Sequence, residues 1–213
     1  MNRPLLLGHR GARASRHIPE NTLASFELSL RHGCDGFEFD VRRSADGDAV
    51  ICHDPMTRSL EIENTLAQVL ALPTLEQILE QFSSRAFLDI ELKVTGLEQQ
   101  LIAALREHPP IKGYVVSSFL AEALSAVHAV DTTVPLGFLW DEGNKTPPKS
   151  PPIAWLIPRV DWADPKLVEQ AHADGKKVMV WTVNRGDEMR RMSEWDVDAI
   201  ISDETDLLVR SFR

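Results

Sequence analysis

Eight short apolar stretches recur along this chain, with helix-patterned residues or turns between them. They fall at Leu5–His9, Phe37–Val41, Phe87–Lys93, Tyr114–Ser117, Leu136–Trp140, Ala154–Pro158, Val178–Val183 and Ala199–Ser202. Such alternation predicts βα units and a parallel sheet. Several stretches are continuously apolar, as a strand buried on both faces requires. The helices carry start and stop signals. Asn21 reads as the N-cap of a helix bearing Leu23, Phe26 and Leu30, with Gly33 at its C′ position. Thr74 and Gln77 form a capping box ahead of Leu75, Ile78, Leu79 and Phe82. Asp164 followed by Pro165 opens another helix, which Gly175 closes. Eight such units predict an α/β fold of one domain over residues 1–213, a single (β/α)8 TIM-type barrel. The alternative, an open doubly wound sheet, is disfavoured because no Gly-rich nucleotide loop follows the first strand.

Two places depart from the rhythm. Asp141–Pro152 contains Pro147, Pro148, Pro151 and Pro152, so a loop is expected where a helix would stand. After the second strand, Asp46-Gly47 predicts a tight hairpin and an extra strand. With Asp46 and Gly47 as the two central turn residues, paired positions sum to 93, which sets Asp40 opposite His53.

Composition narrows the function. Lys plus Arg number 23 and Asp plus Glu 32, a net charge of −9. That balance argues against nucleic-acid binding and against a polybasic membrane contact. Two cysteines, Cys34 and Cys52, do not make a disulfide framework. No apolar run approaches the ~20 residues of a spanning helix, and Leu5–Leu7 is short for a secretory signal. The expectation is a cytoplasmic enzyme or binding domain without a stable membrane anchor.

The chemistry-bearing residues lie on the strands. In Phe37-Glu38-Phe39-Asp40, alternation puts Glu38 and Asp40 on one face; in Leu88–Lys93 it groups Asp89, Glu91 and Lys93. Carboxylates on apolar strands need partners. Those partners are either internal cations (Lys93, Arg42 or Arg10) or a metal ion at the barrel mouth. Two carboxylate-bearing strand ends beside a polar first strand end favour a site, since barrel active sites gather there. All-oxygen ligation suits Mg2+, Ca2+ or Mn2+ better than Zn2+. The first strand ends in Gly8-His9-Arg10-Gly11, and the hairpin strand runs into His53-Asp54. Two histidines, three carboxylates, an arginine and a lysine make a set suited to phosphoryl hydrolysis. One imidazole takes a proton and the other gives one, while the basic groups hold phosphate oxygens.

In order along the chain, His9-Arg10-Gly11, Pro19-Glu20-Asn21-Thr22, Glu38-Phe39-Asp40-Val41, Asp46-Gly47 and His53-Asp54 appear. They are followed by Leu72-Pro73-Thr74-Leu75, Ile90-Glu91-Leu92-Lys93, Val180-Trp181-Thr182-Val183-Asn184 and Ile201-Ser202-Asp203. This ordered set resembles the glycerophosphodiester phosphodiesterase family over nearly the whole chain. The resemblance implies a barrel and metal-dependent hydrolysis of small-molecule glycerophosphodiesters to glycerol 3-phosphate and an alcohol. It implies Glu38, Asp40 and Glu91 as metal ligands, His9 and His53 as the acid/base pair, and Arg10 and Lys93 as the phosphate clamp. Trp181, near a strand's carboxyl end, is then a wall for the glycerol moiety. The family pattern also admits a cyclic phosphate opened by water in a second step.

Departures from the family pattern are few. Ser44-Ala45 stands where a Thr is usual, Cys34 stands where a small residue is common, and the segment from Pro55 to Pro73 is short. The short segment leaves the mouth open and bears on substrate preference. Asp89 is expected to be a lower-layer ion-pair partner, Glu20 and Asn21 helix-cap residues (with support of Arg10 by Glu20 as the lesser reading), and the remaining histidines structural. Two competing functions follow: a phospholipase-type lyase that stops at a cyclic phosphate, and an inactive phosphate-ester binding module. The module would lack a histidine or a carboxylate, and none is missing.

Overall fold

The computed structural model describes residues 3–141 and 147–213. The chain runs β1 (Leu5–Gly8), α1 (Leu23–His32), β2 (Gly36–Arg43), β3 (Ala49–Ile51), a small hairpin of β4 (Met56–Thr57) and β5 (Leu60–Glu61), then α2 (Ala67–Leu70) and α3 (Leu75–Phe82). It continues with β6 (Phe87–Leu92), α4 (Glu98–Glu107), β7 (Tyr114–Ser118), α5 (Ala121–Val130), β8 (Leu136–Trp140), β9 (Trp155–Pro158), α6 (Pro165–Ala173), β10 (Lys177–Val180), α7 (Gly186–Glu194), β11 (Ala199–Ser202) and α8 (Thr205–Arg210). Eight of these strands are parallel, and the ring closes because β1 pairs with both β11 and β2. This is the predicted barrel. β3 lies outside it, antiparallel to the far end of β2. Between β8 and β9 no helix occurs among the described residues; part of the proline-rich stretch, 142–146, lies outside them.

Strand alternation builds two layers. Phe37 and Phe39 point outward, where Phe26 of α1 stacks on Phe37 at 4.3 Å and Phe82 of α3 meets it edge-on at 5.1 Å. Leu7, Val115, Leu139, Ile157, Met179 and Ile201 fill the barrel interior. Glu38 and Asp40 alternate with the phenylalanines, so the same periodicity that buries the aromatic rings sends the carboxylates inward.

Two local expectations are corrected. The N-cap of α1 is Thr22, whose hydroxyl accepts from Ser25 N at 3.2 Å. Asn21 instead takes a left-handed backbone (φ 56°) and turns its amide into the barrel. The hairpin pairs Val41 with Ile51, Arg42 with Val50 and Arg43 with Ala49, so positions sum to 92 and not 93. The loop has three residues, Ala45-Asp46-Gly47. Gly47 N donates to Ser44 O at 3.0 Å, and Gly47 sits at φ 92°. A type I turn followed by a left-handed glycine adds one residue to the two-residue turn that Asp-Gly suggests. Cys52, not His53, therefore lies opposite Asp40, with Cys52 N donating to Asp40 O at 3.0 Å. The chain leaves the hairpin at this point and returns to it, Ile51 N donating to Pro73 O at 2.9 Å.

The β2–β6 contact has no spare room at its start. A Cβ on Gly36 would lie 1.8 Å from the carbonyl oxygen of Phe87. Gly36→Ala must push the two strands apart, and overpacking of this kind costs about 3 kcal/mol or more. A urea midpoint unchanged from wild type would show that the strands yield freely.

Candidate active site

At the carboxyl ends of the strands lies a cavity of about 140 Å³. His9, Arg10, Glu38, His53, Glu91 and Lys93 line one side of it, and Phe119, Leu139, Trp181 and Ile201 the other. A roomier depression of about 210 Å³ between α3 and α4 is bordered by Asp48, Glu76 and Glu107 and lacks any such meeting of basic and acidic groups.

Three carboxylates converge beneath the cavity. One oxygen each from Glu38, Asp40 and Glu91 lies within 4.8 Å of the others, and all three residues are buried. The pairing of β2 with β6 sets Asp40 beside Glu91 and Glu38 beside Asp89. Lys93 Nζ donates to Glu91 Oε1 at 2.6 Å and stands 3.4 Å from Asp40 Oδ1. Arg10 Nε lies 3.3 Å from Asp40 Oδ2, and Asn21 Nδ2 donates to that same oxygen at 2.8 Å. Arg10 N donates to Glu38 Oε2 at 2.9 Å from a residue with φ 51°. Among the described residues, Glu38 Oε1 and Asp40 Oδ1 have no hydrogen-bond donor.

The electrostatics divide the carboxylates. Burial, then the charges of Asp40 and Glu91, push Glu38 well above its ordinary range. Burial, then Asp40, push Glu91 up to about 8 despite Lys93. Burial would raise Asp40 too, but Lys93, Arg10 and Asn21 outweigh it and hold that group below its usual value. Three buried acids with two orphaned oxygens and two cations therefore lack positive charge. A hard divalent cation fits that donor set. The other grouping with ligand-like spacing, Glu76 with Glu107 and His108, has both of its glutamates exposed at the surface.

Asp89 does not form the expected ion pair. It accepts from Ser117 Oγ at 2.6 Å, its other oxygen has no partner, and burial pushes it up to about 7. Among the described residues no cation pairs with Asp89; Lys93 is engaged above it by Glu91 and Asp40.

The two imidazoles sit on opposite supports. His9 follows β1; its Nδ1 lies 2.7 Å from Asp203 Oδ1 and its Nε2 3.9 Å from Glu38 Oε2. His53 follows the outer hairpin, where Arg42 Nε donates to its carbonyl at 2.8 Å. Its Nδ1 contacts the exposed Asp54 at 2.8 Å. Burial, with Lys93 and Arg10, lowers the His53 pKa, against the opposing pull of Asp40 and Asp54. His53 thus reaches the pocket by way of the loop beyond β3, without the strand pairing expected from the turn.

Trp181 follows β10, donates its indole N–H to Ile157 O at 3.0 Å, and packs edge-on against Phe119 at 5.5 Å. Phe119, Asn184 and Asp203 were not singled out by residue chemistry, yet each lies just past the carboxyl end of a barrel strand. That position is the signal that could have found them. Glu20 is no cap: it joins Arg10 Nη1 at 2.7 Å and Arg13 Nε at 2.6 Å.

Comparison with known proteins places the chain among its relatives. The glycerophosphodiester phosphodiesterase of Caldanaerobacter subterraneus subsp. tengcongensis is 30% identical over 98% of both chains. The structure of an Oleispira antarctica phosphodiesterase in complex with the product sn-glycerol-3-phosphate superposes with a TM-score of 0.82 at 27% identity, covering 98% of this chain and 96% of that one. A Thermotoga maritima glycerophosphodiester phosphodiesterase shares the fold with a TM-score of 0.85 at 24% identity, over 99% of each chain. Sequence matches to the Glycerophosphoryl diester phosphodiesterase family run over residues 9–102 and 63–207, and with full-length relatives on either side the chain belongs to that family.

Proposed function

We propose that this chain hydrolyses glycerophosphodiesters to glycerol 3-phosphate and an alcohol, and that it does so with a divalent cation held by Glu38, Asp40 and Glu91. The observation that carries the reading is the meeting of two imidazoles, two basic side chains and an electron-rich carboxylate cluster in one small cavity. The product named in the Oleispira complex supports the substrate class. When bound, Mg2+ or Ca2+ (Mn2+ is also compatible) would supply Lewis-acid stabilisation of charge on the phosphorus oxygens.

The chain's own residues account for the rest. Arg10 offers a planar fork to two phosphate oxygens, and Lys93 adds a compact charge on the same side. His9 is the base: it takes the proton of the neighbouring glycerol hydroxyl as that oxygen bonds to phosphorus, while His53, the acid, gives a proton to the departing alcohol oxygen as its P–O bond breaks. In the second step the imidazoles exchange roles: His53 takes a proton from the water that attacks the cyclic phosphate, and His9 returns its proton to the glycerol oxygen as that P–O bond breaks, leaving glycerol 3-phosphate. The apolar side, with Trp181 and Phe119, takes the glycerol carbons and keeps water from the polar side, where charge interactions then act in a lower dielectric. Release of glycerol 3-phosphate, and not of a lasting cyclic phosphate, separates this reading from a lyase. No helix among the described residues is long and apolar enough to cross a membrane.

The metal reading predicts a pH signature. Without metal, Glu38 and Glu91 keep protons that the unfolded chain releases above about pH 4.5, so stability should fall as pH rises towards 8. The lowered His53 pKa works in the opposite direction, but it is one half-exposed group against several buried acids. In thermal melts, the chelated protein should lose stability between about pH 5 and pH 8, and added Mg2+ should restore it most at the alkaline end. Equal melts with chelator and with metal, together with full turnover in chelator, would overturn the metal site.

For the phosphate clamp, Arg10→Lys keeps the charge but loses the fork. KM for a natural diester should rise roughly tenfold or more. Unaltered kinetics would place the phosphate elsewhere.

His53→Ala should lower turnover of a natural diester by roughly 10²–10⁴-fold. A nitrophenyl ester, whose leaving group needs no proton, should be hurt far less. Equal losses on both substrates would remove His53 from the acid role.

A further inference from the structure

Both histidines have a carboxylate at Nδ1, but the two pairs are built differently. Asp54 is a surface residue, its side chain 74% exposed, and His53 is 35% exposed. Asp203 and His9 are 16% and 12% exposed. Asp203 is also held from behind. Asn184 Nδ2 donates to Asp203 Oδ2 at 2.7 Å. The orientation of that amide is fixed, because Asn184 Oδ1 accepts from Asp203 N at 2.9 Å and from Ser202 Oγ at 3.1 Å. On its other oxygen Asp203 meets Arg13 Nη1 at 3.2 Å as well as His9. Burial alone would raise the Asp203 pKa; His9, Asn184 and Arg13 outweigh it and hold the group well below the ordinary carboxylate range. An ionised carboxylate only accepts, so the proton in the 2.7 Å contact belongs to His9 Nδ1.

We propose that Asp203, clamped by Asn184, is a positioning residue for the reaction: it fixes His9 with Nδ1 protonated and leaves Nε2 unprotonated and facing the cavity. This rests on the reading of His9 as the base. The consequence is directional. When Nε2 takes the hydroxyl proton, the imidazolium keeps its Nδ1 proton, and the fixed negative charge of Asp203 stabilises it; no proton passes on to Asp203. Without the carboxylate, the ring rotates and its Nδ1–H and Nε2–H tautomers mix, so part of the population presents a proton where a lone pair is required. Both clamp residues come from the ends of adjacent strands, Asn184 beyond β10 and Asp203 beyond β11, while His9 comes from β1. Barrel closure between β1 and β11 is therefore what brings acceptor and imidazole together.

Three readouts test this on the Mg2+-loaded protein. In nitrogen-15 spectra of histidine-labelled protein, with the His9 signals identified by their loss in His9→Ala, wild type should show a protonated Nδ1 and an unprotonated Nε2. Asp203→Ala should shift His9 towards the Nε2–H form. In kinetics, the near-isosteric Asp203→Asn should lower kcat roughly 10²-fold or more with KM changed by less than about threefold. Asn184→Ala, which leaves the carboxylate in place but unclamped, should lower kcat about tenfold. In the His9→Ala background, Asp203→Asn should cost nothing further. An additional loss in that background would mean that Asp203 acts elsewhere, and an unmoved His9 spectrum in Asp203→Ala would overturn the positioning role even if His9→Ala is inactive. Near-normal turnover of His9→Ala overturns the base assignment and the catalytic use of the clamp with it, while the spectra still report whether Asp203 sets the tautomer.

Discussion

Three buried carboxylates within a few ångströms of one another are the constraint around which the mouth of this barrel is organised. Each would cost several kcal/mol to bury alone and ionised. The surrounding residues answer that cost individually. Asp40, the least exposed of the three, is met by Lys93, Arg10 and Asn21 and stays ionised. Glu38 and Glu91 have less help and shift upward. Even the backbone is drawn in: Arg10 and Asn21 both adopt left-handed conformations, one to aim an N–H at Glu38, the other to aim an amide at Asp40. Non-glycine residues bear such conformations at a cost, and here the acceptors they reach are the buried acids.

The charges are unevenly placed around the cavity. Cations and acids come from β1, β2, β6 and the residues just beyond them, whereas Leu139, Trp181 and Ile201 come from β8, the position just past β10, and β11, in the remainder of the ring as far as its closure at β1. A small molecule seated there meets an oriented polar wall on one side and an apolar wall on the other. Preorganised dipoles and charges gain most where water is kept out, so the apolar arc contributes to the chemistry by excluding water, the one indole N–H of Trp181 being donated to Ile157 O.

Much of this was legible in the residues. All eight barrel strands are where the apolar stretches put them, and period-two alternation correctly grouped Glu38 with Asp40, and Glu91 with Lys93, on single strand faces. The ordered motifs indicated the family. The errors were of two physical kinds. Asp-Gly specifies a turn without specifying its length, so the hairpin register slipped by one and His53 was paired with the wrong neighbour. Asn21 has the chemistry of a cap, but a buried carboxylate nearly twenty residues on competes for its amide, and Thr22 next to it caps as well. Asp203 is a different case: its partner His9 is brought near only by the closing of the barrel, which local pattern does not encode, whereas Glu20 meets Arg10 and Arg13 within a single loop whose shape a capping pattern does not reveal.

The outer hairpin has one more consequence. Because Ile51 N binds Pro73 O, the excursion that begins after β3 ends where it began. Its closure is fixed by that bond and by β3 itself, and no barrel strand changes partner along it. The entropy of closing such a loop grows only logarithmically, by about 0.6 kcal/mol for each doubling in length. The rim beside His53 can therefore be lengthened or rebuilt as a separable piece, at little thermodynamic expense to the ring that holds the acids and bases.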